Sequence, residues 1–290
     1  MKSRKALLGI VLMVLSVFLF SLKDAFAKST DGYYSAVLII WLQFASASMF
    51  YFPVITWRYG IDVLRPRAPG WQILRSAMVV IGIGSFYWAI SLIPLAEATA
   101  MSFTAPLIVT AISPLLLNEK IGIRRWLSVI VGFFGVLIIL RPDFGGDRLG
   151  YLIALGSGVF VGLSYAMNRK LAKHAPTIVS VGYSSIIGAL LLTPLVPGVW
   201  VAPRPDDYYL ILGFCIIAAM GQALLFSAFM LGEASIIAPF HYVQIVGATL
   251  YGYLFFNDFP DTLTIIGITI VIACGVYIAL REAKANTPLR

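Results

Sequence analysis

The sequence predicts an all-α integral membrane protein, with ten transmembrane helices forming two inverted five-helix repeats. Three observations predict it. Apolar residues make up 60% of the 290 and charged residues only 12%, where a soluble domain carries about 25% charge; mean hydropathy is +0.92. Charge-free apolar runs recur along the whole chain. The second half of the chain also repeats short stretches of the first.

Ten charge-free runs can be read off in order: 6–22, 32–57, 76–96, 98–118, 126–140, 149–168, 175–203, 208–232, 234–257 and 262–280. A helix needs about 20 residues to cross about 30 Å of hydrocarbon. A membrane barrel would show segments of about 10 residues alternating polar and apolar, and these runs do not alternate. The run 126–140 is short, and Arg124, Arg125 and Arg141 at its ends can snorkel. The first run follows Lys2, Arg4 and Lys5 and leads to Ala25-Phe26-Ala27, which imitates a cleavable signal. It reads instead as a retained helix, because it continues through Lys28 and has a counterpart in the second half.

Basic residues orient the spans. With a cytoplasmic N-terminus, 16 of the 21 Lys and Arg fall on the cytoplasmic side, leaving Lys23, Lys28, Arg141, Arg148 and Arg204 on the other. That is the asymmetry of the positive-inside rule. Both termini are expected in the cytoplasm of a bacterial-type inner membrane. The +8 net charge then reflects topology and lipid headgroups, not nucleic acid. Cys215 and Cys274 lie in apolar runs and read as reduced core thiols.

The duplication has a period near 140. Gly135-Val136-Leu137-Ile138-Ile139-Leu140-Arg141 matches Gly275-Val276-Tyr277-Ile278-Ala279-Leu280-Arg281 at five of seven positions. Glu97-Ala98-Thr99 answers Glu233-Ala234-Ser235, and Asn118-Glu119 answers Asn257-Asp258. The expected units are 1–144 and 145–290, each with five spans; five being odd, the second enters the membrane the opposite way up. Inverted repeats of this kind build secondary carriers, whose two halves exchange conformations.

These residues also carry a resemblance. Pro94-Leu95-Ala96-Glu97-Ala98-Thr99-Ala100, Ala105-Pro106-Leu107, Asn118-Glu119-Lys120, Arg125-Trp126 and Gly132-Phe133-Phe134-Gly135-Val136 resemble the drug/metabolite transporter superfamily, in its EamA-type branch. Ala238-Pro239-Phe240, Tyr242-Val243-Gln244, Phe259-Pro260-Asp261 and Gly275-Val276 match in the second half. The resemblance implies a ten-helix carrier, its two inverted repeats arranged around a central cavity, of the kind that exports amino acids and other small metabolites. Some similar members import S-adenosylmethionine or riboflavin. Where the family has Gly-Glu after the fourth and ninth helices, this chain has Asn118-Glu119 and Asn257-Asp258. Asn also tolerates a left-handed helix C-cap, so the turn is expected to survive.

Polar side chains deep in a span mark the protein-facing or water-lined side. His241, Tyr242 and Gln244 form the richest such cluster, level with Phe103 and Thr104. They suit a substrate surface, in which His241 can titrate near neutral pH, and equally suit interhelical hydrogen bonding. Tyr87 and Trp88, Tyr165 and Asn168, and the stripe Gln222, Phe226 and Phe229 complete the candidate lining. Aromatic rings and amides without a deep charge favour amphipathic or ring-bearing organic substrates. Glu97 and Glu233 start the fourth and ninth helices, where carboxylates cap or gate. Asp24 and Lys28 are an i, i+4 pair at the end of the first helix, and Asp24 and His241 are the candidates for proton coupling. Pro106 lies nearest the middle of its helix and invites a kink or gate. The glycine pairs 82 and 84, 132 and 135, and 158 and 162 permit either close packing or bending.

An enzyme or haem carrier would need clustered ligands or a nucleophile with its base. Only two histidines are present, His174 being in a loop. No phosphate-binding G-x-x-x-x-G-K-[ST] motif occurs, so direct ATP use is not expected. A receptor would leave the duplication unexplained. The expectation is a monomeric or weakly dimeric carrier without cofactor or metal, whose partners are a small-molecule substrate, the lipid bilayer and protons as a coupling ion.

Overall fold

The computed structural model describes residues 2–30, 32–64, 66, 68–116, 122–140, 148–171, 177–231 and 234–285, and among these it is helical without strands. The helices are α1 (Lys2–Lys28), α2 (Ala36–Tyr59), α3 (Pro69–Ile90), α4 (Leu95–Ser102), α5 (Ala105–Leu116), α6 (Ile123–Leu140) and α7 (Arg148–Leu171). Then come α8 (Thr177–Leu192), α9 (Val196–Val199), α10 (Tyr208–Leu231), α11 (Ala234–Ile237), α12 (Val243–Phe256) and α13 (Thr262–Ala285). Six helical segments among the described residues are long and apolar enough to cross a bilayer, and three shorter apolar helices accompany them: Trp126–Leu140, Ile178–Leu192 and Thr262–Ile278.

Two runs expected as single helices are interrupted. The fourth run splits into α4 and α5 at Phe103 and Thr104, and the ninth passes from α11 through a 3-10 turn, Ala238–Tyr242, into α12. The cause is the same in both. Pro106 and Pro239 cannot donate a backbone hydrogen bond and crowd the preceding turn, so each helix restarts around its proline. Thr104 Oγ1 donates to the Met101 carbonyl at 2.8 Å, satisfying a group that the break exposes.

Sequence-distant helices do most of the packing. α1 lies against α10 and α12, α3 against α7 and α8, and α6 against α13. Small residues allow the closest of these approaches. A Cβ built on Gly158 would stand 2.2 Å from Thr104 Oγ1, and one on Gly162 would stand 2.9 Å from the Ala105 carbonyl oxygen. The α4–α5 break is thus seated on the glycine face of α7. Gly135 and Gly267 play the corresponding part where α6 crosses α13.

The surface reverses the pattern of a water-soluble protein, and the interior, though mostly apolar, holds several polar and charged groups. Large apolar side chains such as Trp57, Leu115 and Met49 are more than three-quarters exposed, whereas Lys23, Asp24, Gln72, Arg75 and Glu97 are buried. Such a surface suits lipid, which asks only for apolar contact, while polar groups turn inward to find partners. Asn257 ends α12 in the left-handed conformation, φ 58° and ψ 21°, as its residue type allows. Asn118 and Glu119 lie outside the described residues. At the bundle's edge, the Tyr34 hydroxyl donates to Asp207 Oδ2 at 2.7 Å and accepts from the Arg204 N–H at 3.1 Å. Burial, and then Asp207, push this hydroxyl's pKa above its ordinary value, which keeps it a donor.

Candidate functional site

The two interrupted helices meet at a cavity of about 490 Å³. Phe103, at the α4–α5 break, packs its ring against His241 and Tyr242 of the α11–α12 turn, with centroids 5.4 and 5.0 Å apart. Pro106 also lines the space. The breaks matter because an unwound turn can present its side chains and backbone to the cavity, which a continuous helix would keep paired.

Of the residues expected from the sequence, Tyr87, Phe103, Tyr165, Gln222, His241, Tyr242 and Gln244 line this cavity. Gln222 Oε1 accepts from the Tyr51 hydroxyl at 2.7 Å. The other expected lining residues lie elsewhere. Thr104 is buried within the α4–α5 turn. Trp88 is half exposed, because consecutive residues on a helix point about 100° apart and Phe86 and Tyr87 take the inward side. Phe226 and Phe229 follow Gln222 on its stripe but stand one and two turns further along α10, and Phe229 is exposed. Asn168 likewise lies a turn beyond Tyr165. Glu97 is buried and accepts a hydrogen bond from the Tyr151 hydroxyl of α7. Glu233 lies outside the described residues.

Two expectations about charge are corrected. The cavity does have a deep acid and a deep base: Lys23 and Asp24 both line it and are 6% and 3% exposed. Asp24 and Lys28 do not pair with each other. Asp24 Oδ1 meets Lys23 Nζ at 2.5 Å, while Lys28 reaches Asp258 Oδ2 at 3.0 Å and the Ile93 carbonyl at 3.1 Å. The i, i+4 spacing permitted the Asp24–Lys28 contact, but Asp24 is taken by Lys23 at the cavity and Lys28 turns to the segment after α12.

The Lys23–Asp24 pair is held from several helices. Lys23 Nζ donates to Gln43 Oε1 of α2 at 3.2 Å and to the Tyr87 hydroxyl of α3 at 2.7 Å. The Tyr87 hydroxyl in turn donates to Gln43 Oε1 at 2.5 Å or to Asp24 Oδ1 at 3.0 Å. Gln244 Nε2 of α12 approaches Asp24 Oδ2 at 3.5 Å. The ammonium also lies 5.2 to 5.8 Å from the ring centroids of Phe20, Tyr87 and Phe214, close enough for cation–π attraction. A charge buried in an apolar bundle is costly unless it is paired and hydrogen-bonded, and these contacts supply that pairing. Sequence reasoning missed Lys23 and Gln43 as lining residues. Gln43 left a signal: it is a lone amide within a long apolar run, like Gln222 and Gln244.

The cavity thus has a polar pole, with one positive and one negative side chain, and an aromatic and aliphatic remainder that includes Phe86, Ile83, Val109 and Val161. Among the described residues there is no cluster of metal-ligating side chains. Such an arrangement can bind and orient an organic molecule within an all-helical membrane bundle. This is the architecture of a membrane carrier. The EamA-like transporter family matches the chain over residues 7–141 and again over 148–281, and the protein belongs to that family. It is 29% identical to the S-adenosylmethionine uptake transporter of Rickettsia bellii over 96% of this chain and 95% of that one. It is 30% identical to the pseudopaline exporter of Pseudomonas aeruginosa over 95% and 96% of the two chains. With the riboflavin transporter of Vibrio cholerae it shares 29% identity over 84% and 83%. A solved crystal structure superposes with a TM-score of 0.64 at 19% identity, covering 98% of this chain and 99% of its own, and shares the fold. The protein is a transporter of small metabolites, not an enzyme.

Proposed function

We propose that the protein is a secondary transporter that exports amino acids, aromatic ones included, and related compounds by alternating access of its halves, 1–144 and 145–290. Both termini lie in the cytoplasm of a bacterial inner membrane. The observation that carries the reading is the cavity where two proline-interrupted helices, one from each half, bring Phe103 against His241 and Tyr242. A volume of about 490 Å³ falls in the range of small-ligand pockets, and its mixture of rings, amides and one ion pair suits an amphipathic solute. Phe103, Tyr242, Gln244 and Gln222 contact the substrate, Glu97 and Pro106 belong to the gating elements, and Asp24 or His241 carries any coupled proton.

The test is counterflow. Purified protein in liposomes loaded with unlabelled phenylalanine should concentrate labelled phenylalanine transiently from outside, without nucleotide. Flux that requires internal ATP would refute the carrier mechanism. A second reading, uptake of S-adenosylmethionine or riboflavin, is favoured by the names of similar proteins that span nearly the whole chain. The same liposomes decide it if those two compounds exchange and amino acids do not.

A further inference from the structure

We infer that Lys23 and Asp24 are the recognition site for a zwitterionic headgroup, with a substrate carboxylate taking Lys23 and its ammonium taking Asp24 in place of their mutual ion pair. The inference rests on the reading that this cavity holds the substrate. It adds the class of chemical group recognised and assigns each charge to a residue.

Stability does not account for the pair. A buried ion pair can often be replaced by apolar residues of similar volume without loss of stability, and an apolar pair would insert more easily into lipid. Yet α1 carries both charges side by side where they face open space, and α2, α3 and α12 each send a polar side chain to them. The hydrogen bonds are also unevenly shared. Asp24 Oδ1 is held closely by Lys23 and Tyr87, whereas among the described residues Oδ2 meets only Gln244 Nε2, at 3.5 Å. That oxygen has acceptor capacity left for an incoming N–H donor.

Charge balance selects the ligand. Among the described residues no other Lys, Arg, Asp or Glu lines the cavity, so with a neutral His241 the side chains sum to zero. A net anion or cation would leave one charge uncompensated in a low dielectric, and an uncharged ligand would gain hydrogen bonds but no ion pair to replace the one it breaks. A zwitterion with adjacent ammonium and carboxylate replaces one ion pair by two, and the cavity stays neutral whether empty or loaded. The rings of Phe20, Phe86 and Phe103 and the side chains of Ile83 and Val161 are left for an apolar substituent.

The test keeps the ring and changes the headgroup. Full-length protein is reconstituted, counterflow of labelled L-phenylalanine is established, and phenethylamine, which lacks the carboxylate, and 3-phenylpropionate, which lacks the ammonium, compete with it. For wild type, each competitor should be about 10- to 100-fold weaker than phenylalanine, the span expected for one lost charged hydrogen-bonding partner. Lys23→Gln should lift the discrimination against phenethylamine, and Asp24→Asn that against 3-phenylpropionate, each to within about threefold. Either single variant strands a charge and can fail to fold. The double variant Lys23→Gln/Asp24→Asn strands none and should discriminate against neither competitor. Counterflow of phenylalanine by wild type with equal competition from amine and acid overturns the headgroup site but leaves the transport reading standing. A double variant that keeps the wild-type preference does the same. Absence of amino-acid counterflow in wild type overturns both.

Discussion

The ion pair between Lys28 and Asp258 should act as a latch over one end of the cavity. It joins the end of α1 to the turn after α12, two segments 230 residues apart in sequence. Lys28 also donates to the Ile93 carbonyl before α4 and lies 5.0 Å from the Phe256 ring centroid. Five residues of α1 separate it from Lys23, about 7.5 Å at 1.5 Å per residue, so the latch sits about one and a half turns beyond the polar pole. An exposed pair would contribute at most about 1 kcal/mol. Here the side chains are 15% and 34% exposed, and the backbone acceptor and ring contact raise the estimate to about 1–2 kcal/mol. Loss of about 1.4 kcal/mol shifts a two-state equilibrium about tenfold. Lys28→Ala or Asp258→Ala should therefore make the conformer open at this end roughly tenfold more populated, while the exchanged pair Lys28→Asp/Asp258→Lys should restore much of the closure. The assay is alkylation of Ser102→Cys, a cavity position, by a membrane-impermeant reagent in a background with Cys215 and Cys274 replaced by Ser. Equal alkylation rates in the parent and both alanine variants, at equal expression, would refute the latch.

Two further outcomes follow from sequence and packing. On the positive-inside reading, Asp206→Cys, beside α10, should label from outside intact cells and tags on both termini should not; labelling of Asp206→Cys only after permeabilisation reverses the orientation. A Cβ on Gly275 would stand 1.8 Å from the Tyr242 hydroxyl, so Gly275→Ala should push that cavity-lining ring aside. It should cost about 1–3 kcal/mol of stability and change substrate KM several-fold. Gly156→Ala, with nothing within 4 Å, is the control, and thermal melts with transport assays on both variants check the pair.

Membrane helices were legible because hydrocarbon demands one property over a fixed length, and the runs around α2, α3, α7 and α10 satisfy it with little ambiguity. The interrupted helices were only half legible. Pro106 and Pro239 announce lost hydrogen bonds, but a proline alone does not distinguish a kink from a break. What decides the outcome is tertiary, namely the bare glycine face of α7 that accepts the α4–α5 turn. The aromatic positions show a similar limit. Periodicity gives a direction around the helix and no depth along it, so Gln222 and Phe229 share a stripe although only Gln222 reaches the cavity.

The charged pole was hidden by the rule that found the spans. Treating a charge as the end of a run stops the first span at Leu22, yet α1 continues to Lys28, about 9 Å further along its axis. Lys23 and Asp24 therefore look interfacial in sequence and are interior in the fold. The assumption holds where a charge must reach water, and it fails where other helices supply what water would have supplied. Gln43, Tyr87 and Gln244 do so here, each from a different helix and none predictable from the neighbourhood of residue 23. Charges retained next to an apolar run, with solitary amides in the middle of other runs, are thus better read together as two parts of one buried polar site. Read that way, Gln43, Gln222 and Gln244 already point to an interior that must accommodate polarity, and Lys23 and Asp24, directly after an apolar run, are charges able to supply it.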